Sequence, residues 1–308
     1  MKIYTITLNP AYDVHAYAAH FAPFHENLAQ VTSREAGGKG VNLSRALQNG
    51  GTENTAVIVL GKDNCGEFKA ELSAAGLSTI LLEKPGRIRE NLTLHCADAP
   101  ETRISFSGFP ADDSLLSEVA ELLQVEEDTV ITFTGRVASG MSMEKVKAFL
   151  KDLQAKGAKI VLDSKSFSLE DIFQVQPWLI KPNQEEISEY LGCEVSTIRE
   201  AAEKAEIFVR HGITNVMVSL GEQGALLRNG SSCYIATPPT INALSTIGAG
   251  DSSLAGFIAA AQKGRSAAEC LKNAVTYGTA ACLTEGSLPP TAADIAAIHA
   301  QVTVQKLQ

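Results

Sequence analysis

Short alternating apolar runs of strand type are separated along the chain by stretches whose apolar residues recur at helical spacing. That alternation predicts crossover units around a mainly parallel sheet. Ile3 to Leu8 and Thr55 to Leu60 read as strands, and Val41 to Gln48 between them as a helix stopped by Asn49, Gly50 and Gly51. Phe68, Leu72 and Ala75 mark a helix before a strand at Ser78–Leu82. The rhythm then breaks, because Asn91–Cys96 and Thr102–Ser107 are strand patterns joined by only a short polar link. With the irregular segment Asp13–Glu35 they predict a small antiparallel flap, a lid built from about residues 13–35 and 88–108. Further strands are expected at Thr129–Phe133, Lys159–Asp163, Leu179–Lys181 and Asn215–Leu220. A helix near Ile198–His211 opens on a capping box, Thr197 and Glu200, and closes at Gly212. From Leu254 onward the chain reads as helical and alanine-rich. No repeat, low-complexity tract or long linker divides it, so one domain over residues 1–308 is expected.

Composition narrows the class. The 308 residues are 45% hydrophobic and 20% charged, enough apolar surface for a large core. The formal net charge of −9 argues against nucleic acid or an anionic membrane as partner, since both need a broad basic surface. The longest apolar stretch, Leu254 to Ala261, is far short of the roughly 18 residues of a membrane span. The N-terminus has no signal-peptide core, and the six scattered cysteines form no CxxC pair. A cytoplasmic location follows as the expectation.

Two glycine clusters carry the chemistry. Thr246-Ile247-Gly248-Ala249-Gly250-Asp251 leads into a helix whose apolar residues Leu254, Phe257, Ile258 and Ala261 share one face. Free N–H groups at such a helix start attract anions. Asp251 would repel a bound phosphate, so it is either a helix cap or a base that takes a proton from a substrate hydroxyl. No GxxxxGK[ST] or GxGxxG motif occurs, which speaks against a P-loop or dinucleotide-binding enzyme. Ala36-Gly37-Gly38-Lys39-Gly40-Val41-Asn42 also runs from a loop into a helix, either a flexible turn or a close backbone approach to a ligand.

Together the two clusters resemble the signature stretches of the PfkB carbohydrate kinases, and in particular the branch of 1-phosphofructokinase and tagatose-6-phosphate kinase. Thr7-Leu8-Asn9-Pro10-Ala11-Tyr12-Asp13, the pair Arg89 and Asn91, Ile180–Glu186 and Val218–Leu226 match that branch in order. The resemblance implies a ribokinase-like three-layer α/β/α fold with a mainly parallel sheet and a β lid. It implies ATP and Mg²⁺ as cofactors and a phosphorylated ketohexose as acceptor, fructose 1-phosphate foremost. Tagatose 6-phosphate, an unphosphorylated sugar or nucleoside, and a non-catalytic sugar or nucleotide sensor are the alternatives. By the same resemblance Asp251 is the base, and Gly248, Ala249 and Gly250 present the anion hole. Asp13, Gly38, Lys39, Asn42 and Asn91 hold the sugar, with Arg89 near its phosphate. Lys181, Asn183, Ser219, Leu220, Gly221, Glu222, Gln223 and Gly224 line the nucleotide cleft, and Glu186 organises Mg²⁺ through water. Glu185 and Glu186 also fit as ordinary first-turn acids. Exposed lid edges imply a homodimer.

Three positions depart from the branch. Leu28 stands where a basic residue is usual, while Arg136 and Lys165 add cations beside the expected cleft. These last two read equally as phosphate contacts or as solvated loop charges. His15, His20 and His25 recur every five residues, about 140° apart on a helix, and read as surface groups of the flap. Trp178 reads as core or rim packing.

Overall fold

Successive residues of the central strands sort onto opposite faces of one sheet. The computed structural model describes residues 1–97, 101–230 and 232–307. In chain order the elements begin with β1 (Ile3–Thr7), β2 (Ala11–Ala18), β3 (Gln30–Gly37), α1 (Lys39–Asn49), β4 (Thr55–Gly61), α2 (Cys65–Ala74) and β5 (Thr79–Lys84). They continue with β6 (Arg89–Cys96), β7 (Thr102–Ser105), α3 (Ser114–Leu122), β8 (Val130–Thr134), α4 (Met143–Ala155), β9 (Lys159–Asp163) and α5 (Leu169–Val175). After these come β10 (Leu179–Ile180), α6 (Gln184–Leu191), α7 (Ile198–Arg210) and β11 (Asn215–Ser219). The chain closes with β12 (Ala225–Asn229), β13 (Ser232–Thr237), α8 (Ala249–Gln262), α9 (Ala267–Ala281), α10 (Ala292–His299) and β14 (Thr303–Leu307).

The main sheet has ten strands in the order β14-β13-β12-β11-β10-β9-β8-β1-β4-β5. From β11 to β5 every pairing is parallel, and β12, β13 and β14 extend the β11 edge antiparallel. The period-2 side-chain alternation of a strand explains the layering. Ile131, Ile160, Leu162, Val216 and Val218 face one way, into a core completed by Val119, Leu150, Ile172, Ile187 and Phe208 from α3 to α7. Val130, Val161 and Met217 face the other way, against Leu43 of α1, Leu254 and Ile258 of α8, and Leu271 of α9. Strands covered on both faces need the near-continuous apolar runs seen in the sequence.

A second sheet, in the order β3-β2-β6-β7, forms the lid. Its outer pairings are antiparallel, as expected, but β2 and β6 at its centre are parallel, so the flap is mixed. Part of the link between β6 and β7, residues 98–100, lies outside the described residues. The segment 13–35, irregular in its sequence pattern, supplies most of β2 and β3. Two expectations fail elsewhere. The hairpin β12–β13 and the closing strand β14 had no counterpart in the sequence reading, which took the chain beyond Leu254 as wholly helical. His15 is buried at 5% exposure rather than lying at the surface, with its ring stacked on His95 and the two rings hydrogen-bonded at 3.0 Å. Trp178 packs edge-on against Phe257, as expected of a core residue.

Strand order reverses between β1 and β8, since β4 and β5 lie on one side and β9 to β11 on the other. In open α/β sheets that crevice, at the carboxyl ends of the strands, is where ligands bind. Thr7, Thr134, Asp163, Ile180 and Ser219 are the last strand residues at that rim.

Candidate active site

Helix α8 starts at this rim. Gly248 is its N-cap in the left-handed region, at φ 76°, and the cap carries no side-chain hydrogen bond. Asp251, in the first turn, is 7% exposed, and one carboxylate oxygen accepts from Asn42 Nδ2 at 3.4 Å. Its side chain therefore faces α1 rather than capping its own helix. Burial pushes the Asp251 carboxyl up to about 6, helped by the negative charge of Asp163 and opposed by Lys39, Lys181 and the Asn42 bond. A carboxylate tuned to the neutral side of its range is suited to act as a base near pH 7.

The donors of this turn are only partly free. Ala249 N–H reaches Thr246 O at 3.4 Å, whereas Gly248, Gly250 and Asp251 have no N–H acceptor among the described residues. A β-carbon on Gly250 would lie 3.1 Å from Lys181 Nζ, so unpaired amides and an ammonium share one spot. Lys181 and Asp163 are 8% and 7% exposed and 3.8 Å apart, and Lys39 Nζ bonds the same Asp163 oxygen at 2.8 Å. Burial would raise Asp163, but the charges of Lys181 and Lys39 and the Lys39 hydrogen bond hold it below the usual carboxylate range. Burial likewise opposes the charge on Lys39, and Asp163 and Asp251 outweigh it, so Lys39 stays firmly protonated.

A second group faces this one from the lid. Asp13 on β2 lies beside Asn91 on β6 in the strand register, and Asn91 Nδ2 donates to Asp13 Oδ1 at 3.0 Å. Burial pushes Asp13 up, while Asn91, Arg103, His15 and Arg89 pull it down. Arg89 donates to the carbonyls of Phe106 at 3.2 Å and Asn9 at 3.5 Å. Gly38, the N-cap of α1 at φ 118°, lies close against Thr7 and Pro10, where a β-carbon would come within 3.1 and 3.3 Å of them. Four polar atoms of these residues and their neighbours are buried with no protein partner: Asn9 Oδ1, Asn42 Oδ1, Arg89 Nε and Asn91 Oδ1. Buried donors and acceptors are rarely left unmatched. Such unmatched acceptors and a donor on Asn9, Asn42, Arg89 and Asn91 fit a hydroxyl-rich ligand.

The third group lies along the β10–β11 edge. Asn183 caps α6 by accepting from Glu186 N–H at 2.7 Å, and Glu186 Oε2 accepts from Asn183 N–H at 3.0 Å. The other Glu186 oxygen faces Lys165 Nζ at 3.5 Å. The first-turn structural role of Glu186 is therefore real. Ser219 N–H donates to Pro182 O at 3.0 Å, which sets the turn Gly221–Gln223 and Gly224 beside Lys181 and Asn183. Leu220 departs from expectation: it is 4% exposed and packs in the core, leaving only its backbone to the cleft. Asp163, Ser164, Lys181, Glu186 and Tyr190 line a cavity of about 20 Å³, room for about one water. Two carboxylates on such a cavity fit Mg²⁺, a hard ion that keeps waters and takes further oxygens from substrate phosphates. Among the described residues no group of three acidic, His or Cys side chains could hold an ion directly.

Asn9 and Asp163 were not singled out from the sequence, although Asn9 lies within a motif quoted for the resemblance and Asp163 ends an expected strand. The signal that finds them is their position at the ends of β1 and β9, at the reversal of strand order. The model for the pfkB family of carbohydrate kinases matches residues 7–293. The chain belongs to that family. It is a kinase that moves a phosphoryl group to a sugar hydroxyl, with the ribokinase-like fold of its relatives. It is 33% identical over 261 residues to 1-phosphofructokinase of Escherichia coli (strain K12), covering 83% of each chain. The phosphofructokinase-2 of Escherichia coli, solved with substrates and products, superposes at a TM-score of 0.90 with 26% identity, over 97% of this chain and 99% of that one. The same protein solved with fructose-6-phosphate gives a TM-score of 0.89 and 26% identity, over 97% and 98%. No helix among the described residues is long and apolar enough to cross a membrane.

Proposed function

We propose that this PfkB kinase uses ATP to phosphorylate a ketohexose monophosphate, converting fructose 1-phosphate to fructose 1,6-bisphosphate. Asp251 carries the reading: a buried carboxylate, raised to about 6, that leaves its own helix uncapped and lies beside a lysine and unpaired amides. It takes the proton from the acceptor hydroxyl as that oxygen attacks the γ-phosphorus. Lys181, with the N–H groups of Gly248, Gly250 and Asp251, offsets the charge of the migrating phosphoryl group, and the looser Ala249 bond can open to join them. Asp13, Asn91, Asn42, Lys39 and the loop at Gly38 orient the sugar, and Arg89 faces its phosphate. Asn183 and the turn from Ser219 to Gly224 flank the adenine nucleotide. Mg²⁺ would be held through water by Glu186 and Asp163 and would neutralise charge on the ATP phosphates. The lid excludes water, which otherwise competes as acceptor.

Identity to 1-phosphofructokinase at 33% supports fructose 1-phosphate. The likeness to phosphofructokinase-2 solved with fructose-6-phosphate favours, as a second reading, a ketohexose carrying its phosphate at C6, tagatose 6-phosphate among them. An ADP-release assay across sugars and sugar monophosphates separates the two. Turnover of unphosphorylated sugars alone would overturn both, and no turnover of any would leave a sensor. We place the enzyme in the cytoplasm as a single kinase domain that pairs through its lid. Supporting the pairing, Tyr17, Phe24, Leu28, Val31, Ile104 and Phe106 are large apolar side chains exposed on the lid.

A further inference from the structure

Glu101, His95 and His15 stand in a row that begins at the surface of the lid and ends against the core. Glu101 Oε2 lies 3.6 Å from His95 Nδ1, and both side chains are partly exposed. His95 Nε2 faces His15 Nδ1 at 3.0 Å, with 13° between the ring planes. A carboxylate beside Nδ1 of His95 favours the proton on that nitrogen and leaves Nε2 bare. His15 Nδ1 must then donate, which makes His15 Nε2 a bare acceptor in the neutral ring. That last nitrogen is buried and has no partner. Buried acceptors are rarely left so.

It is covered by the loop between α9 and α10. A β-carbon on Gly286 would lie 3.1 Å from His15 Nε2, so any side chain there would crowd the approach to that atom. Gly286 N–H has no acceptor among the described residues. An unpaired donor and an unpaired acceptor therefore stand on the two sides of one contact between lid and core. The loop is tied to the core at both ends: Thr284 Oγ1 donates to Ala281 O at 2.8 Å, and Asn49 Nδ2 donates to Pro290 O at 3.2 Å. Ser287 is 2% exposed and donates to Glu35 Oε2 on β3 at 3.4 Å. Its carbonyl oxygen lies 3.7 Å from where a β-carbon on Gly248 would be. One loop thus touches two strands of the lid and the turn that heads α8. Asp13 and His15 share a face of β2, opposite Asn91 and Thr93 on β6, so a hold on His15 also holds Asp13 against the core.

We propose that Glu101 and His95 fix His15 as its Nδ1–H tautomer, and that His15 fastens the lid to the core by accepting Gly286 N–H at Nε2. His15 is a positioning residue: it acts through the loop and through Asp13, not on the reacting atoms. The inference rests on the reading of the small sheet as a lid that excludes water, and not on which sugar phosphate is the acceptor. The bond is unmade in the structure, and bound substrates bring the lid down to make it. One neutral hydrogen bond gained on closing favours the closed lid about 2–10-fold, enough to hold it during transfer and little enough to let product leave.

The test begins with ring-nitrogen NMR of the full-length protein, labelled at histidine and held at pH 8, which separates an N–H from a bare ring nitrogen. His15 should show a protonated Nδ1 and a bare Nε2. Glu101→Ala, at an exposed position, should mix the tautomers of both rings. Amide exchange then reads the fastening, with Mg²⁺, adenylyl imidodiphosphate and either fructose 1-phosphate or fructose 6-phosphate, whichever calorimetry shows to bind. Gly286 N–H should exchange about 2–10-fold more slowly in wild type than in His15→Leu, and His15→Gln, whose amide oxygen can accept in the same place, should recover part of the protection. In turnover, His15→Leu should release about 2–10-fold more ADP per sugar phosphorylated, because water enters under an unfastened lid. A protonated Nε2 on wild-type His15, tautomers unchanged in Glu101→Ala, or equal protection of Gly286 in wild type and His15→Leu overturns the proposal. Protection of Gly286 that needs His15 but not the ligands upholds the fastening and removes the closing lid instead. If neither sugar phosphate binds, the acceptor reading fails and the ring spectra decide the relay.

Discussion

Replacing Asp251 with asparagine separates a catalytic carboxylate from a structural one, because the two roles predict opposite changes in stability. In the folded protein the carboxyl titrates at about 6 instead of the ordinary 3.8, chiefly because burial disfavours its charge. At about 1.36 kcal/mol per unit, that difference makes the charged form cost about 3 kcal/mol at pH 8 relative to the unfolded chain. The sign follows from a raised folded value. The group weakens the fold as pH climbs from about 4 to about 6, and the loss is constant above. Asparagine removes the buried charge, but its amide meets the Asn42 Nδ2 group and two ammoniums, which offsets part of the gain. A net stabilisation of about 1–2 kcal/mol is expected at pH 8, or about 2–6 °C in Tm for a chain of this size. It should vanish near pH 4, where wild type and variant are both neutral at this site.

Turnover should fall at least ~10²–10⁴-fold with nucleotide binding retained, since the hydroxyl proton then has no acceptor. The assay is a thermal melt at pH 4, 6 and 8 beside ADP release and calorimetric binding of an ATP analogue. A helix cap would behave otherwise, with Tm falling and turnover near normal. That pair of results would refute the reasoning, as would a stabilisation that grows as pH is lowered. In the wild type, the same titration predicts kcat falling below about pH 6 as the base takes up its proton.

Arg89→Ala should raise KM for the sugar phosphate about 10–100-fold and KM for ATP far less, read from steady-state kinetics; equal effects would move Arg89 to the nucleotide side. Lys181→Met leaves the buried Asp163 on Lys39 alone, so urea denaturation should show a loss of about 1–3 kcal/mol, with weakened ATP-analogue binding by calorimetry. Glu186→Gln keeps a side chain able to reach the Asn183 N–H, so stability should change by less than about 1 kcal/mol. The Mg²⁺ concentration for half-maximal nucleotide binding should rise severalfold in that variant; an unchanged requirement would leave Glu186 only its capping role. Leu28→Asp, at a side chain 95% exposed, should convert a lid-paired dimer to monomer in sedimentation without lowering Tm.

The parallel core was legible because a strand covered on both faces must be apolar almost throughout. Val57, Ile58, Val59 and Leu60 of β4 are all fully buried, and no surface loop sustains such a run. The capping box at Thr197 and Glu200 was legible for a local reason, since its hydrogen bonds close within one turn. The lid's central pairing was not. β2 and β6 lie some 80 residues apart, and only the completed sheet brings His15 beside Thr93 and onto the ring of His95. β14 escaped for a related reason: Thr303 to Leu307 is a short edge strand whose alternation is too brief to stand out after three helices. In the site, glycines and an aspartate at a helix start announce themselves, but no local pattern says which way a carboxylate turns. From the local sequence Asp251 reads as cap or base, and its contact with Asn42, 209 positions away in the chain, exists only in the folded protein.

The same division separates what the fold fixes from what it leaves adjustable. Asp251, Lys181 and Asp163 are themselves buried, at 7%, 8% and 7% exposure, on strand ends and a helix start, so changing one of them disturbs close-packed surroundings. Arg136 and Leu28 are exposed, on a loop and on the lid, where substitution costs the fold little. The residues proposed for phosphoryl transfer therefore lie where structure resists change, and the departures from the family pattern lie where it does not. The departures at residues 28, 136 and 165 fall at exposed positions of the lid and loops, while the parts proposed to move the phosphoryl group are buried. On this arrangement, exchanging rim cations should shift acceptor preference while the base, the lysine and the amides of α8 continue to operate.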